Sequence, residues 1–372
     1  MTNNLNMSFS LYRPERKIRQ REDFSKQILE YGLYNNYPQL ILALYQRSGV
    51  TSVCVEHLSN FLYGEGFVNT KLAETVVNEK GETFDDLLRS VCKSVAIFRG
   101  ASLHFNFNML NEWTSAHCLN FEWTRLGLPD NNLYSDKIAY WDDWDGQSSR
   151  HNRSQADIVY FDRWNPNLVG AQSEEAGGFG HYKGQVNYFS LEGTQYPRCT
   201  FDSVLEDVET NSRIKNFKRN AVKNGFSASK LIEYPGTFES FEEKMAFLQM
   251  ANGMTGDENA GEVKVAQNPN GAEVPLKIHD LQPQNVDKLH EITERTVKEN
   301  IIETFGIPKP LITGGQQVFS QDQLVDSYLI FNELTRPLRD DISRFFCKII
   351  PHFREEIDIS DRCEIISKSI KV

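Results

Sequence analysis

From Leu324 to Ile349 a single apolar stripe (Leu324, Tyr328, Phe331, Leu334, Leu338, Ile342, Phe345 and Ile349) recurs at spacings of three and four without a gap. That period places all of these side chains on one face of a helix. Ser320, with Gln323 three residues on, supplies a capping box at its start. Pro337 nevertheless lies inside the stripe. It has no backbone N–H, which frees the carbonyl of Glu333, so the spacing predicts one long helix kinked at Pro337.

Three further helical patterns lie before Gly225. From Pro38 onward, Val50, Val53, Cys54, His57, Leu58, Phe61 and Leu62 form a stripe closed by Gly64 and Gly66, with His57 read as a hydrogen-bonded core histidine. Phe84, Leu87, Leu88, Val91, Val95 and Phe98 follow Thr83, an N-cap with Asp86 three residues on, and Gly100 ends the run. The helix after Phe201 carries Asp202, Glu206, Asp207 and Glu209 in its first half. Arg213, Lys215, Lys218, Arg219 and Lys223 follow in its second half, an order that complements the macrodipole. Asn224 and Gly225 close it.

Between the second and third patterns the period changes to two. Leu103, Phe105, Phe107 and Met109 alternate with polar residues, and Leu119, Phe121 and Trp123 repeat the alternation. Short runs at Ile138 to Trp141, Ile158 to Phe161 and Val186 to Phe189 complete what reads as an antiparallel sheet region. All five tryptophans (Trp113, Trp123, Trp141, Trp144 and Trp164) fall within it and are read as sheet core.

Ser240 with Glu243 caps a shorter helix reaching Met254, and short strand-like runs at Val263 to Ala266 and Val274 to Ile278 suggest a small β excursion. A helix over Pro283 to Phe305 follows, carried by Val286, Leu289, Thr293, Val297, Ile301 and Phe305, and Gly306 and Pro308 stop it. Gly306 to Ser320 reads as a loop whose tip is Gly314, Gly315, Gln316 and Gln317.

The 372 residues exceed one typical core and imply two or more sub-domains. A signal peptide and a membrane span are both absent from the pattern: the first ten residues are polar, and the longest apolar run is Leu40 to Tyr45. The chain is therefore expected to be soluble and made in a cytoplasm. Six cysteines without a C-x-x-C pair suggest neither zinc nor a disulfide framework and read as reduced packing residues. A net charge of −11 opposes tight gripping of a phosphate backbone but suits a surface past which DNA slides. The segment Arg13 to Arg21 is basic and reads as a solvated or docking arm.

Chemistry-bearing motifs are missing. The sequence has no G-x-x-x-x-G-K-[ST], H-E-x-x-H or G-x-S-x-G, so no cofactor and no enzymatic activity are expected. Asp142, Asp143 and Asp145 could be imagined as a nuclease metal cluster, but adjacent aspartates diverge on a strand and a solvated turn is preferred.

The order of elements over Tyr37 to Ile350 resembles the portal family of tailed bacteriophages. The pieces that carry the likeness are Tyr196-Pro197, the helix ending in Asn224-Gly225-Phe226, the capped helix reaching Gly256, and Asn259-Ala260-Gly261. Phe305-Gly306-Ile307-Pro308, the Gly-rich loop and the helix through Pro337 complete it. The resemblance implies an α+β, portal-like fold: an antiparallel β/α wing, a helical stem, a small β clip and a long kinked helix.

By position it implies an N-terminal arm at 1–36, wing at 37–235, stem helices at 236–255 and 282–305, and clip at 256–281. A tunnel loop at 306–320, the kinked wing helix at 321–350 and a short crown remnant at 351–372 follow. It further implies a ring, a homododecamer, at one capsid vertex of the virion, through which double-stranded DNA is packaged and ejected. Partners would be non-specifically bound DNA, the major capsid protein, the terminase large subunit and a head–tail adaptor, with no membrane. Gly314, Gly315, Gln316, Gln317, Glu294 and Glu299 would line the DNA channel, with Pro337 the helix kink. Twelve helices at about 10 Å give a circumference of roughly 120 Å and, less one helix width, a bore of about 28 Å. The competing readings are a carbohydrate-binding tail or adhesion component, motivated by the tryptophans, and a metal-dependent nuclease.

Overall fold

A computed structural model describes residues 20–131, 134–144, 157–192, 195–223, 230–235, 240–242, 245, 264–268, 277–280, 286–313 and 320–369. Two compact units share the chain. One is drawn from Met1–Ala43, Val53–Asp202 and Ile307–Val372, the other from Leu44–Ser52 and Ser203–Gly306.

The first unit is built on a mixed sheet. After a small hairpin of β1 (Glu22–Asp23) and β2 (Ile28–Leu29), its strands are β3 (Gly100–Phe107), β4 (Trp113–Leu119), β5 (Thr124–Leu126), β6 (Lys137–Tyr140), β7 (Val159–Arg163) and β8 (Gln185–Ser190). They lie in the order β4-β3-β8-β7-β6-β5. The expected antiparallel region is not wholly antiparallel, because β7 and β8 run parallel, with Asp162 beside Gln185 and Arg163 beside Val186. A helix, Val169–Glu175, lies between these two strands and supplies the crossover that parallel pairing needs. Alternating hydrophobicity reports which face is buried, not which way a strand runs. Phe121–Trp123, expected to extend a strand, forms a single 3-10 turn instead.

The helix Phe84–Phe98 crosses this sheet with Phe84, Leu87, Leu88, Val91, Val95 and Phe98 all buried. Its predicted capping box is present: the Thr83 side chain accepts from the Asp86 N–H, and the Asp86 carboxylate accepts from the Thr83 N–H. Arg99, in the left-handed region at φ 57°, ends it before Gly100 opens β3. Two earlier helices, Tyr37–Arg47 and Gly49–Tyr63, carry the chain to Gly64. Val53, assigned to their stripe from the sequence, is 45% exposed. At Gly64 φ is +60°, and a side chain there would collide with the Ile366 carbonyl, so this turn requires glycine.

The last long helix, Gln321–Ile349, runs through Pro337 and begins with the predicted Ser320–Gln323 capping box. Its buried face includes Phe331, Ile342, Phe345 and Ile349, and Phe61 meets Phe331 edge-on at 4.6 Å. Leu334, placed on the same stripe from the sequence, is 58% exposed. The tail after it returns across the unit: Phe353 stacks against Trp113, and residues around Ile366 pair with residues around Gly66.

The second unit pairs two helices, Leu205–Lys223 and Val286–Thr304. Asn300 Nδ2 donates to Asp207 Oδ2 at 3.1 Å, and Lys218 pairs with Glu294. Buried Ser48 donates to Asn211 Oδ1 at 3.1 Å. A three-stranded sheet completes the unit, with Lys230–Pro235 in the middle, parallel to Lys264–Asn268 and antiparallel to Lys277–Asp280.

The 37–235 module loses the helix Leu205–Lys223 and the strand Lys230–Pro235 to the second unit, whose boundary falls at Asp202/Ser203. Among the described residues, the helix beside Val286–Thr304 is Leu205–Lys223. Of the helix expected after Ser240, residues 240–242 and 245 are described, with Phe241 and Met245 exposed, and the remainder lies outside the described residues. The pairing was hidden because an apolar period shows which face a helix buries but not which distant helix covers it.

Candidate functional site

The residues expected to line a channel come from two places. Glu294 sits at mid-helix on Val286–Thr304 and bridges Lys218 of the neighbouring helix and Lys298 one turn on, the latter at 2.7 Å. Hydrogen bonds from these two ammonium groups, Lys218 first, hold its carboxyl below the ordinary carboxylate range. Glu294 is thus a tie between two helices rather than a bare charge on a polar face. Glu299, five residues on, is half-buried on the same helix.

The tunnel-loop residues Gly314, Gly315, Gln316 and Gln317 lie outside the described residues. What precedes them differs from the expected loop. Ile307 is buried at 4% exposure, and Lys309–Thr313 forms a short helix.

Pro337 is solvent-facing within its helix, and Arg339 lies on the buried side two residues on. Arg339, 5% exposed, sends Nη2 to the Asn332 carbonyl at 3.0 Å. Its Nη1 goes to the Phe61 carbonyl and Thr335 Oγ1, both at 2.9 Å. Thr335 Oγ1 donates to the carbonyls of Phe331 and Asn332. Burial pulls the guanidinium below its usual value, but the hydrogen bonds keep it in place. Arg339 therefore joins the helix at its proline to the helix ending at Tyr63.

A second buried arginine escaped sequence reasoning altogether. Arg125 has no solvent exposure, and its donors reach Asn35 Oδ1 and O (both 2.6 Å), Gln39 Oε1 (3.0 Å), Glu122 O (2.9 Å) and Thr124 O (2.8 Å). Its guanidinium carbon lies 5.2 Å from the Trp144 ring centroid and 5.8 Å from that of Tyr31. Burial lowers its pKa to about 10. Tyr31 stacks on Tyr196 at 4.0 Å; the Tyr196 hydroxyl donates to the Leu29 carbonyl and accepts from the Leu126 N–H. This is a structural polar core, with every donor aimed at a carbonyl or an amide oxygen.

The tryptophans offer no sugar-binding platform. Trp113 and Trp144 are buried and Trp123, Trp141 and Trp164 half-buried; the Trp113 indole donates to the Ile349 carbonyl at 2.8 Å. Asp142 is exposed while its neighbour Asp143 is 7% exposed, which corrects the expected solvated turn for Asp143; Asp145 lies outside the described residues. His57 is half-buried, and burial lowers its pKa. Among the described residues no group of three or more His, Cys, Asp or Glu could hold a metal ion, and no helix is long and apolar enough to cross a membrane.

No family model matches this sequence, and no curated protein matches it. Solved structures do. A chain in the neck of the native gene transfer agent (GTA) particle, computed with C12 symmetry, aligns with TM-score 0.53 at 13% identity, over 90% of this chain and 85% of that one. A chain in the virion of the native GTA particle aligns with TM-score 0.51 at 14% identity, over 84% and 81%. An HK97 family phage portal protein from Corynebacterium diphtheriae aligns with TM-score 0.40 at 11% identity, over 78% and 83%. The expected α+β class is the one observed, and the fold is shared with the neck and virion chains of GTA particles.

Proposed function

We propose that this chain is a portal subunit: copies of it close into a ring, a homododecamer, at one capsid vertex of a virion and form the conduit through which double-stranded DNA enters and leaves. The observation that carries the reading is the fold match over nine-tenths of the chain to a neck component whose particle was computed with C12 symmetry. The paired helices Leu205–Lys223 and Val286–Thr304 suit a stem, and twelve such helices side by side leave a bore of about 28 Å, wide enough for a duplex. A head-to-tail contact that closes on itself builds such a ring.

The role is structural and non-enzymatic. DNA would be touched without regard to sequence, and the net charge of −11 favours sliding over gripping. The major capsid protein, the terminase large subunit and a head–tail adaptor are the partners such a ring would meet. Gly314, Gly315, Gln316 and Gln317 would form the collar around the DNA, amide side chains meeting phosphates without a charge that traps them. Glu299, with Glu294 as the tie behind it, would belong to the stem wall.

Negative-stain imaging or mass photometry of the purified chain tests the reading. Rings of about twelve subunits are expected. A chain that stays monomeric at all concentrations, and also when co-expressed with its capsid protein, would overturn it. Neither competing reading gains an observation, since no tryptophan is exposed and Asp142 and Asp143 face different surroundings.

A further inference from the structure

Cys347 and Cys363 stand apart from the other four cysteines. All six are free thiols, but Cys347 Sγ and Cys363 Sγ lie 3.0 Å apart. Cys347 is near the C-terminal end of the long helix Gln321–Ile349 and half-buried, whereas Cys363 is on the returning tail and fully buried. The backbone around Cys363 is held in an unusual form to bring this about. Arg362 and Cys363 both have positive φ, 55° and 54°, a conformation costly for side chains of this size. The Cys363 N–H is fixed by Asp361 Oδ1 at 3.0 Å, and the Arg362 N–H by the Ile359 carbonyl at 2.8 Å. The chain accepts two strained residues in a row and thereby points one sulfur at another.

What the pair would fasten is also defined. Immediately after Cys363, the Glu364 carbonyl accepts from Val68 N, the Ile366 N–H donates to Gly66 O and the Ile366 carbonyl accepts from Glu65 N. Asn332 of the long helix donates to the Lys368 carbonyl at 2.9 Å. The tail is thus a short strand laid over residues 65–68 and otherwise held by hydrogen bonds and packing alone.

We propose that Cys347 and Cys363 form an oxidisable pair that closes to a disulfide and staples the C-terminal tail to the long helix. A peroxide is the oxidant, and Cys347, the more exposed sulfur, meets it first. Its electron pair attacks one peroxide oxygen and the O–O bond breaks, giving the sulfenic acid of Cys347 and one water. Cys363 Sγ then attacks that sulfur; the S–S bond forms, and the departing hydroxyl leaves with the Cys363 proton as a second water. Two thiols are oxidised by two electrons, and one peroxide is reduced to two waters. Burial holds the Cys363 thiol above its ordinary pKa, so the second step is slow at neutral pH and quickens as pH rises. The pair is therefore a slow lock: open in reducing surroundings, closed after long exposure to oxidising ones. The inference stands whether or not the chain forms a ring.

The test uses the full folded chain, treated with a few equivalents of hydrogen peroxide at pH 8, quenched with a maleimide, digested and mapped by mass spectrometry. A Cys347–Cys363 linked peptide is expected, with a melting temperature raised by about 5 °C that dithiothreitol reverses. In Cys363→Ser the link disappears and Cys347 proceeds to sulfinic acid. In Cys347→Ser, Cys363 stays reduced and is alkylated only after unfolding. Overoxidation of Cys347 in the unaltered chain without any linked peptide would overturn the proposal. So would a linked peptide that leaves the melting temperature unchanged, since the tail would then not be fastened by it.

Discussion

Arg125 has no carboxylate among its hydrogen-bond partners, yet it is completely buried. A charge so placed is tolerated because each guanidinium donor meets an oxygen and two aromatic rings flank it. Lysine carries only three donors on a flexible stem, so Arg125→Lys should leave backbone carbonyls unpaired and cost about 2–3 kcal/mol in urea unfolding. The tyrosines beside it set a pH limit. Burial raises the folded-state pKa of Tyr31, Tyr188 and Tyr196 above their unfolded value of about 10. Their contribution is complete below that value and is lost as pH climbs past it. Arg125, depressed to about 10, acts in the opposite sense, but one group opposes three. Stability should therefore fall above about pH 10. Absorbance at 295 nm should show these tyrosines ionising together with the loss of circular dichroism, and ionisation well before unfolding would refute the burial argument. None of this was legible in the sequence. Periodicity finds apolar faces, but an arginine that ends among backbone carbonyls has no repeat to betray it.

At the scale of single elements the sequence speaks more clearly where local chemistry decides the outcome. Both capping boxes, Thr83–Asp86 and Ser320–Gln323, were readable because their partners are three residues apart. The direction of β8 and the partner of Val286–Thr304 were not, since each depends on residues far along the chain. The helix through Pro337 combines the two cases. Pro337 was visible, whereas the buried arginine two residues on was not. Pro337→Ala restores a backbone donor and should leave the monomer's melting temperature the same or higher, while ring yield falls if the bend shapes the subunit contact. Arg339→Met should do the reverse, destabilising the first unit by about 3 kcal/mol through the orphaned carbonyl of Phe61 and the loss of the donors to Asn332 O and Thr335 Oγ1. Equal effects of the two substitutions in a thermal melt would show that bend and arginine are not separate devices. Glu294→Lys would bring a third ammonium between Lys218 and Lys298. It should weaken the helix pair by about 1 kcal/mol, more at low salt than at high. Salt-independent destabilisation would count against the tie.

For the whole molecule, the proposed collar is tested by deleting Gly314 to Gln317. Rings and DNA entry should stay near normal while retention in filled heads falls, and full retention would reduce the segment to an ordinary connection. The ring itself was expected from the order of elements rather than from any single motif, which is why the outline of the fold was legible while the division between units was not. That division has a consequence in time. In chain order the second unit is largely an insertion in the first, which the chain leaves at Asp202 and rejoins at Ile307. Trp113 needs the carbonyl of Ile349, Phe61 needs Phe331, and Gly66 needs Ile366. A nascent chain on the ribosome cannot complete the first unit until Ile366 has emerged, because these long-range contacts wait for the helix Gln321–Ile349 and the segment after it. Unfinished or truncated chains would then lack a completed first unit, and translation itself would serve as the proofreader of which copies are fit to join an assembly.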